Sequence, residues 1–316
     1  MKTRTTLILL AIVVTLALWI KFYESKQPNT EEARERAGRV VNIESDKIEG
    51  ITIQNGDERI ELKKAGDKWR VEAPFKDQAD RNAVDDLISD LELWQKDQTI
   101  PAKEVEADKG RLEEYDLGKP KLRLKIEGKD APPEILFGKD AALEGRMYVR
   151  FENSKDTFLV RNNVKKHVTK KPEDFRDRKL TETTSAQVNR VVLKTPAGEL
   201  EAQKQGEAWE IVKPLRARAD LQKINDLIAQ VTSARIQQFI GDDRGDLQPY
   251  GLAEPRGSIT LFAADDKEGQ VLQIGSASEK EDAKDQVYVR FSPRNFVFTL
   301  PKKIEEILKT TPNDLR

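Results

Sequence analysis

The sequence predicts an α+β fold class: a tandem duplication of an antiparallel sheet, with one main amphipathic helix and one short helix per repeat, preceded by a single transmembrane helix. Three observations predict it. One stretch of the chain occurs twice at a constant offset of 140 residues, apolar residues alternate around it, and one uninterrupted apolar run lies near the amino terminus. Alternation with period two indicates strands, whereas a long apolar run indicates a membrane span.

The duplicated stretch begins at Trp69 and again at Trp209. Each copy predicts a strand that ends at a proline, because proline cannot donate to a strand ladder, and then an aspartate that caps a helix. Apolar residues recur after it at the spacing of one helix face. The paired residues are Trp69 and Trp209, Pro74 and Pro214, and Asp80 and Asp220. The predicted helix face of the first copy consists of Val84, Leu87, Ile88 and Leu91, and that of the second copy consists of Ile224, Leu227, Ile228 and Val231.

Further matches follow in the same order in both copies. Each copy has a Tyr followed by Leu and Pro, a strand pattern ending in Gly, and the tetrapeptide Tyr-Val-Arg-Phe. We predict that the first tyrosine anchors its loop by packing its ring against the sheet. The matched residues are Tyr115 and Tyr250, Gly138 and Gly275, Tyr148 and Tyr288, Arg150 and Arg290. They predict a first repeat at 44–180, a polar linker at 181–186 and a second repeat at 187–316.

Composition excludes several classes of function. The chain has 316 residues, a formal net charge of −1 and finely mixed charges, so it lacks the basic excess of a nucleic-acid-binding protein. It has no cysteine, which excludes disulfides, thiolate nucleophiles, cysteine zinc sites and a lipoprotein anchor on cysteine. We expect no metal and no cofactor, since no phosphate-binding glycine loop or paired histidines occur.

The amino terminus predicts a membrane anchor. From Thr5 to Tyr23 only Lys21 is charged, and this run nearly spans a hydrocarbon core of about 30 Å. Bulky residues follow the run, where a cleaved signal peptide would have small residues, so we favour an uncleaved signal anchor over cleavage. We therefore predict a cytoplasmic tail and transmembrane anchor at 1–23, with residues 5–23 in the lipid bilayer, and a polar spacer at 24–43.

The candidate chemical residues have structural alternatives. His167, the single histidine, would serve as a general base or as an ordinary helix residue, and its counterpart in the second copy is Ile307. Asp80 and Asp220 would form a carboxylate pair or, as we favour, two equivalent helix caps. The mid-strand residues Arg150 and Arg290 would receive an anion or form structural contacts. We assign no catalytic residue.

Four motifs follow one another in a fixed order: Tyr-x-Leu-x-x-Pro, Ile/Leu-x-x-Gly, Tyr-Val-Arg-Phe, and then Phe175 to Leu180. In this order of motifs the chain resembles an uncharacterised bacterial family, domain of unknown function 4340. The resemblance covers both repeats from about Val41 to Arg316, although the second copy ends at Arg316 and lacks the last part of the pattern. It implies a membrane-anchored protein of the cell envelope, accessory to ABC-type transport or gliding-like complexes by association, and it implies no catalytic residues.

We therefore expect a single-pass inner-membrane protein with its bulk outside the cytoplasm, acting as a non-enzymatic binding or scaffold module. Its expected partners are the bilayer and subunits of an ABC-type transporter. Two alternatives stay open. One is an envelope enzyme acting on a glycan or small ligand through carboxylates, and the other is a periplasmic assembly adaptor, which would need an exposed apolar patch.

Overall fold

The computed structural model describes Thr15 and residues 30–107, 110–242, 245–263 and 266–316. The chain divides into two compact units, Met1–Arg176 and Asp177–Arg316. Among the described residues, none of the helices has the length and apolar character of a membrane span. The predicted anchor at 5–23 lies outside the described residues, apart from Thr15.

The first unit is built on one antiparallel sheet. Its strands are β1 (Ile48–Asn55), β2 (Glu58–Ala65), β3 (Lys68–Ala73), β4 (Asp77–Gln78), β5 (Lys96–Ile100), β6 (Leu122–Gly128), β7 (Ile135–Asp140), β8 (Arg146–Phe151) and β9 (Thr157–Arg161). Its helices are α1 (Thr30–Gly38), α2 (Arg81–Glu92), α3 (Ala102–Ala107), α4 (Arg111–Glu114) and α5 (Lys165–Val168), with 3-10 turns at Ser45–Lys47, Asn162–Val164 and Pro172–Phe175. The strand order is β4-β3-β2-β1-β6-β7-β8-β9-β5.

The second unit repeats this plan. Its strands are β10 (Val188–Thr195), β11 (Gly198–Gln205), β12 (Ala208–Lys213), β13 (Ala217–Ala219), β14 (Phe239–Asp242), β15 (Gly257–Ala263), β16 (Gln270–Ala277), β17 (Gln286–Phe291) and β18 (Arg294–Pro301). The main helix is α6 (Leu221–Thr232), with 3-10 turns at Ser185–Gln187, Gln248–Tyr250, Glu281–Ala283 and Lys302–Lys309. The strand order, β13-β12-β11-β10-β15-β16-β17-β18-β14, is equivalent to that of the first unit.

One sheet face and one helix face form the core of each unit. In β1 the side chains of Ile51 and Ile53 are buried, and the register places Ile51 opposite Leu62 on β2 and Ile126 on β6. The apolar face of α2 covers this sheet face, and Leu87 and Leu91 on it are fully buried. Each fully buried aliphatic side chain of this size contributes about 1.5–3 kcal/mol. The predicted tandem duplication of an antiparallel sheet is confirmed.

The two nine-stranded sheets dominate, so the described residues are mostly β, and each sheet has its predicted main helix, α2 or α6. The edge strands β4 and β13 are only two and three residues long, and β5 has the polar sequence Lys-Asp-Gln-Thr-Ile without an alternating pattern. They form because the neighbouring strands β3, β12 and β9 offer free ladder groups, not because their own sequences favour strands. In the first unit, the connection between β5 and β6 also contains the short helices α3 and α4.

The units begin earlier than the predicted repeat boundaries. Val40, Val41 and Ile43, which the sequence assigns to the polar spacer, are buried in the first core. In the second unit, Leu180 is likewise buried in the core, although we predicted it as the end of the first repeat. The reason is a repeated contact: Val40 N donates to Trp94 O, and Leu180 N donates to Ala234 O. These short segments each dock beside the end of the main helix.

Candidate functional site

The two aspartates of the repeated stretch are helix caps. Asp80 precedes α2 and its carboxylate accepts a hydrogen bond from Ala83 N at 3.1 Å. Asp220 precedes α6 and accepts from Lys223 N at 3.1 Å. The backbone N–H groups of the two aspartates also have equivalent acceptors. Asp80 N donates to Phe175 O at 2.7 Å, and Asp220 N donates to Leu315 O at 2.8 Å. Each aspartate therefore has the same structural role inside its own unit.

The matched tryptophans and prolines lie beside these caps. Trp69 and Trp209 are buried on β3 and β12, in the two separate cores. Both strands end immediately before a proline, and the peptide bonds that precede Pro74 and Pro214 are cis. These residues turn the chain from the third strand toward the cap of the main helix.

The matched glycines permit a close approach between a loop and the sheet. A Cβ atom added at Gly138 would lie 2.1 Å from the carbonyl oxygen of Tyr115, and one added at Gly275 would lie 2.2 Å from that of Tyr250. Real Cβ atoms do not approach backbone oxygens so closely, so glycine is required at both places. The glycine is what lets each tyrosine loop lie on its sheet.

The tyrosine rings then pack on the outer face of each sheet. The rings of Tyr115 and Tyr148 are stacked with centroids 4.0 Å apart, and those of Tyr250 and Tyr288 are tilted with centroids 5.0 Å apart. Stacked aromatic pairs of this kind contribute about 0.5–1.5 kcal/mol beyond the burial of their surface. The tyrosines thus hold the loop that precedes β6 and β15 in place.

The two mid-strand arginines do not share one environment. Arg150 on β8 is half-buried opposite Leu136, and among the described residues its Nε atom has no hydrogen-bond partner. Arg290 on β17 lies opposite Gln273 and Val297. Because the two arginines differ in their neighbours, these neighbours do not define a shared anion site.

A buried ion pair that the sequence does not reveal joins β4 to the last residue of the first unit. Arg176 donates through Nε to Asp77 Oδ2 at 2.7 Å, and its Nη2 atom is also 2.7 Å from that oxygen. The two side chains are only 3% and 4% exposed. The guanidinium also lies over the ring of Phe75, 4.3 Å from its centroid, so a cation–π contact stabilises the charge.

A second polar pair of the first unit joins α5 to α2. His167 Nε2 lies 2.7 Å from Asp90 Oδ2, and Lys166 Nζ lies 3.0 Å from the same oxygen. The His167 side chain is 5% exposed, and within the described residues its Nδ1 atom has no hydrogen-bond partner. A histidine oriented by a carboxylate is the arrangement of a general base, but here the ring is enclosed in the core of the unit.

The pKa values of this pair favour a neutral ring beside a charged carboxylate. Burial lowers the pKa of His167, and the hydrogen bond and charge of Asp90 only partly offset that effect. Burial alone would raise the pKa of Asp90, but hydrogen bonds from His167, Lys166 and Asn163 outweigh it and leave the pKa below its ordinary value. The arrangement is consistent with an Nε2–H donor on a neutral imidazole.

We expect this pair to make the stability of the first repeat depend on pH. The folded state lowers the pKa of His167, whereas histidine in the unfolded chain keeps its ordinary pKa of about 6.5. Just below that pH the unfolded chain therefore binds more protons than the folded chain. The free energy of unfolding falls as the pH drops from 7 toward 5. The slope is at most about 1.4 kcal/mol per pH unit for this one proton. Asp90, whose pKa is lowered, adds a further loss only in more acidic solution.

The second repeat provides the control, because it has Gln230 and Ile307 at these two positions. We expect the double variant Asp90→Gln/His167→Ile to have a smaller loss of stability between pH 7 and pH 5 than the native chain. The loss of stability is measured by hydrogen exchange of first-repeat peptides, corrected for the intrinsic exchange rate at each pH. Equal slopes in the two proteins would contradict a role for the pair.

Metal binding has no support in the part of the chain that the structure describes, where no three carboxylate or histidine side chains are grouped as metal ligands. The useful signal that sequence reasoning overlooked lies in the mismatches between the copies. Asp77 corresponds to Ala217 and Asp90 to Gln230, so both polar pairs belong to the first repeat alone.

Comparison with known proteins agrees with the duplication. The family model described as domain of unknown function (DUF4340) matches residues 69–208 and again residues 209–316, so each match begins at one of the paired tryptophans. Neither the curated proteins nor the solved structures gave a match. The two matches cover most of the chain and confirm the resemblance seen in the sequence. The chain therefore belongs to the DUF4340 family, of which it carries two tandem copies.

Proposed function

We propose that this chain is a membrane-anchored protein of the cell envelope whose two repeats act as a non-enzymatic binding or scaffold module, accessory to an ABC-type transport or gliding-like complex. The observation that carries the proposal is the equivalence of Asp80 and Asp220. The carboxylates that look most like an acid–base pair in the sequence each cap a helix within a separate unit. A duplicated structural frame suits recognition of a partner better than it suits one catalytic centre.

The remaining shared residues support the same conclusion. The glycines admit the tyrosine loops, the tyrosines stack and the tryptophans fill the cores. What both copies retain is therefore used to build the fold. Two polar pairs differ between the copies. The Asp77–Arg176 pair is buried in the first unit, and in the Asp90–His167 pair the histidine is buried while the aspartate is 26% exposed.

The envelope location rests on the apolar run between Thr5 and Tyr23. We propose that this run is a single transmembrane signal anchor and that the repeats lie outside the cytoplasm. A reporter enzyme that is active only outside the cytoplasm, fused after Arg316, should be active in whole cells. Activity of the matching cytoplasmic reporter instead would contradict this orientation.

The partner is tested by site-specific photocrosslinking in cells. Leu215 is a suitable position, because this large apolar side chain is 78% exposed, whereas its counterpart Phe75 packs beneath Arg176. We expect a crosslinker at position 215 to recover the membrane or ATPase subunits of a transporter, and one at the fully exposed Glu207 to recover less. Intact, membrane-bound protein that yields no transporter subunit from either position would overturn the accessory role.

The enzyme alternative makes a different prediction for the caps. We expect Asp80→Ala and Asp220→Ala each to destabilise its own repeat by about 1 kcal/mol, because each loses one capping hydrogen bond. Asp80→Asn and Asp220→Asn should lose less, since asparagine is also a good cap. Hydrogen exchange of α2 and α6 peptides measures both effects. A variant that loses activity on an envelope glycan at unchanged stability would favour the enzyme instead.

A further inference from the structure

A cavity of about 350 Å³ opens beside the main helix of the second repeat. It lies between the carboxyl-terminal end of α6 and the end of β18. Ligand sites in proteins start at about 300 Å³, so the cavity has the size of a small-molecule site. Its lining residues are Gln230, Ser233, Ala234, Arg235, Gln237, Leu300, Pro301, Lys303 and Ile304.

The first repeat shows what fits in this place. There Trp94 corresponds to Ala234 and Arg161 corresponds to Pro301, at the constant offset of 140 residues. The indole of Trp94 is fully buried and donates its N–H to Arg161 O at 2.6 Å. It also stacks on Phe137, with ring centroids 5.7 Å apart. In the first repeat, a planar aromatic group thus occupies the position that alanine leaves open in the second repeat.

The walls of the cavity combine apolar and polar groups. Leu300 and Ile304 are buried and supply apolar surface together with Ala234. At the rim, Arg235 and Lys303 are exposed, and within the described residues neither forms an ion pair with a carboxylate. An unpaired cation at a rim attracts an anionic group.

We propose that the second repeat binds a small aromatic anion in this cavity. The ring occupies the place that the Trp94 indole fills in the first repeat, and an acidic group lies near Arg235 and Lys303. The proposal stands on the comparison of the two copies and does not depend on the transport partner proposed above. It gives the second copy a binding role that the first copy, with its place filled, does not have.

The test uses the full-length chain in lipid nanodiscs, with empty nanodiscs as the blank and indole-3-propionate as the probe. Calorimetric titration should show saturable binding of one molecule per chain. Ala234→Trp fills the cavity with the chain's own indole and should weaken binding at least ten-fold. Arg235→Gln should weaken binding of indole-3-propionate but not of the uncharged 3-methylindole. The control is Arg216→Gln, a change at an exposed arginine of the same repeat, and it should alter the binding of neither ligand.

Hydrogen exchange of α6 peptides reports whether each variant keeps the native second repeat. If Ala234→Trp loses this protection, Ala234→Met serves as the filling variant, because methionine adapts to irregular gaps. No saturation of the native chain at millimolar probe would overturn the proposal. Equal affinity in the native chain and in a folded filling variant would place the probe elsewhere and would overturn it too.

Discussion

Replacing Asp77 by alanine is expected to destabilise the first repeat by about 3–5 kcal/mol, because the change leaves the charge of Arg176 buried without its carboxylate. Both side chains are at most 4% exposed, and two guanidinium nitrogens lie 2.7 Å from Asp77 Oδ2. Alanine itself fits an equivalent strand, since Ala217 occupies this position on β13. The loss would therefore come from the isolated charge and not from the alanine.

The measurement is native-state hydrogen exchange on the full chain, read separately for peptides of each unit. Protection of β3, α2 and β4 should fall in Asp77→Ala, while second-repeat peptides serve as the internal reference. Arg316→Ala is the matched control, because Arg316 corresponds to Arg176 but is exposed, and it should have almost no effect. Unchanged protection in Asp77→Ala would show that solvent reaches the guanidinium.

A double variant separates the cost of the isolated charge from the value of the pair. Asp77→Ala/Arg176→Met removes both charges and keeps an apolar side chain beside Phe75. Replacing a buried pair by apolar residues is often neutral or stabilising, so this variant should recover most of the lost protection. If it is no more stable than Asp77→Ala, the packing of the arginine stem explains the loss rather than its charge.

The sequence predicts well those features that depend on near neighbours along the chain. The spacing of Val84, Leu87 and Leu91 predicts the buried face of α2, and the alternation of Ile51 and Ile53 predicts the core face of β1. Such patterns are local, because the geometry of one helix or one strand decides which side chains share a face. The duplication strengthened each prediction by showing the pattern twice.

Features that depend on distant segments were not predicted. Asp77 and Arg176 are 99 residues apart, and Asp90 and His167 are 77 apart, so only the folded sheet brings them together. Strand β5 pairs with β9 although its polar sequence has no strand pattern. The apolar residues Val40 and Val41 belong to a run too short to indicate an element, and their burial follows from their docking beside Trp94.

Replacing Trp94 by alanine is expected to destabilise the first repeat by about 3–5 kcal/mol, the usual cost of removing a large aromatic side chain from a core. The side chain is fully buried, it stacks on Phe137, and its N–H is satisfied by Arg161 O. The neighbouring Leu93 is 66% exposed, so Leu93→Ala is the control and should change stability by less than about 0.5 kcal/mol.

The size of the Trp94→Ala effect also tests the relation between the two copies. The second repeat folds around alanine at this position, with a cavity of about 350 Å³ beside it. If the first repeat behaves in the same way, Trp94→Ala should open a comparable cavity that binds 3-methylindole. The bound 3-methylindole should restore part of the lost protection from hydrogen exchange, because a ligand that binds only the folded state stabilises that state. A loss below about 1 kcal/mol would mean that the surrounding side chains collapse into the space, and 3-methylindole would then have no effect on the exchange of the first repeat.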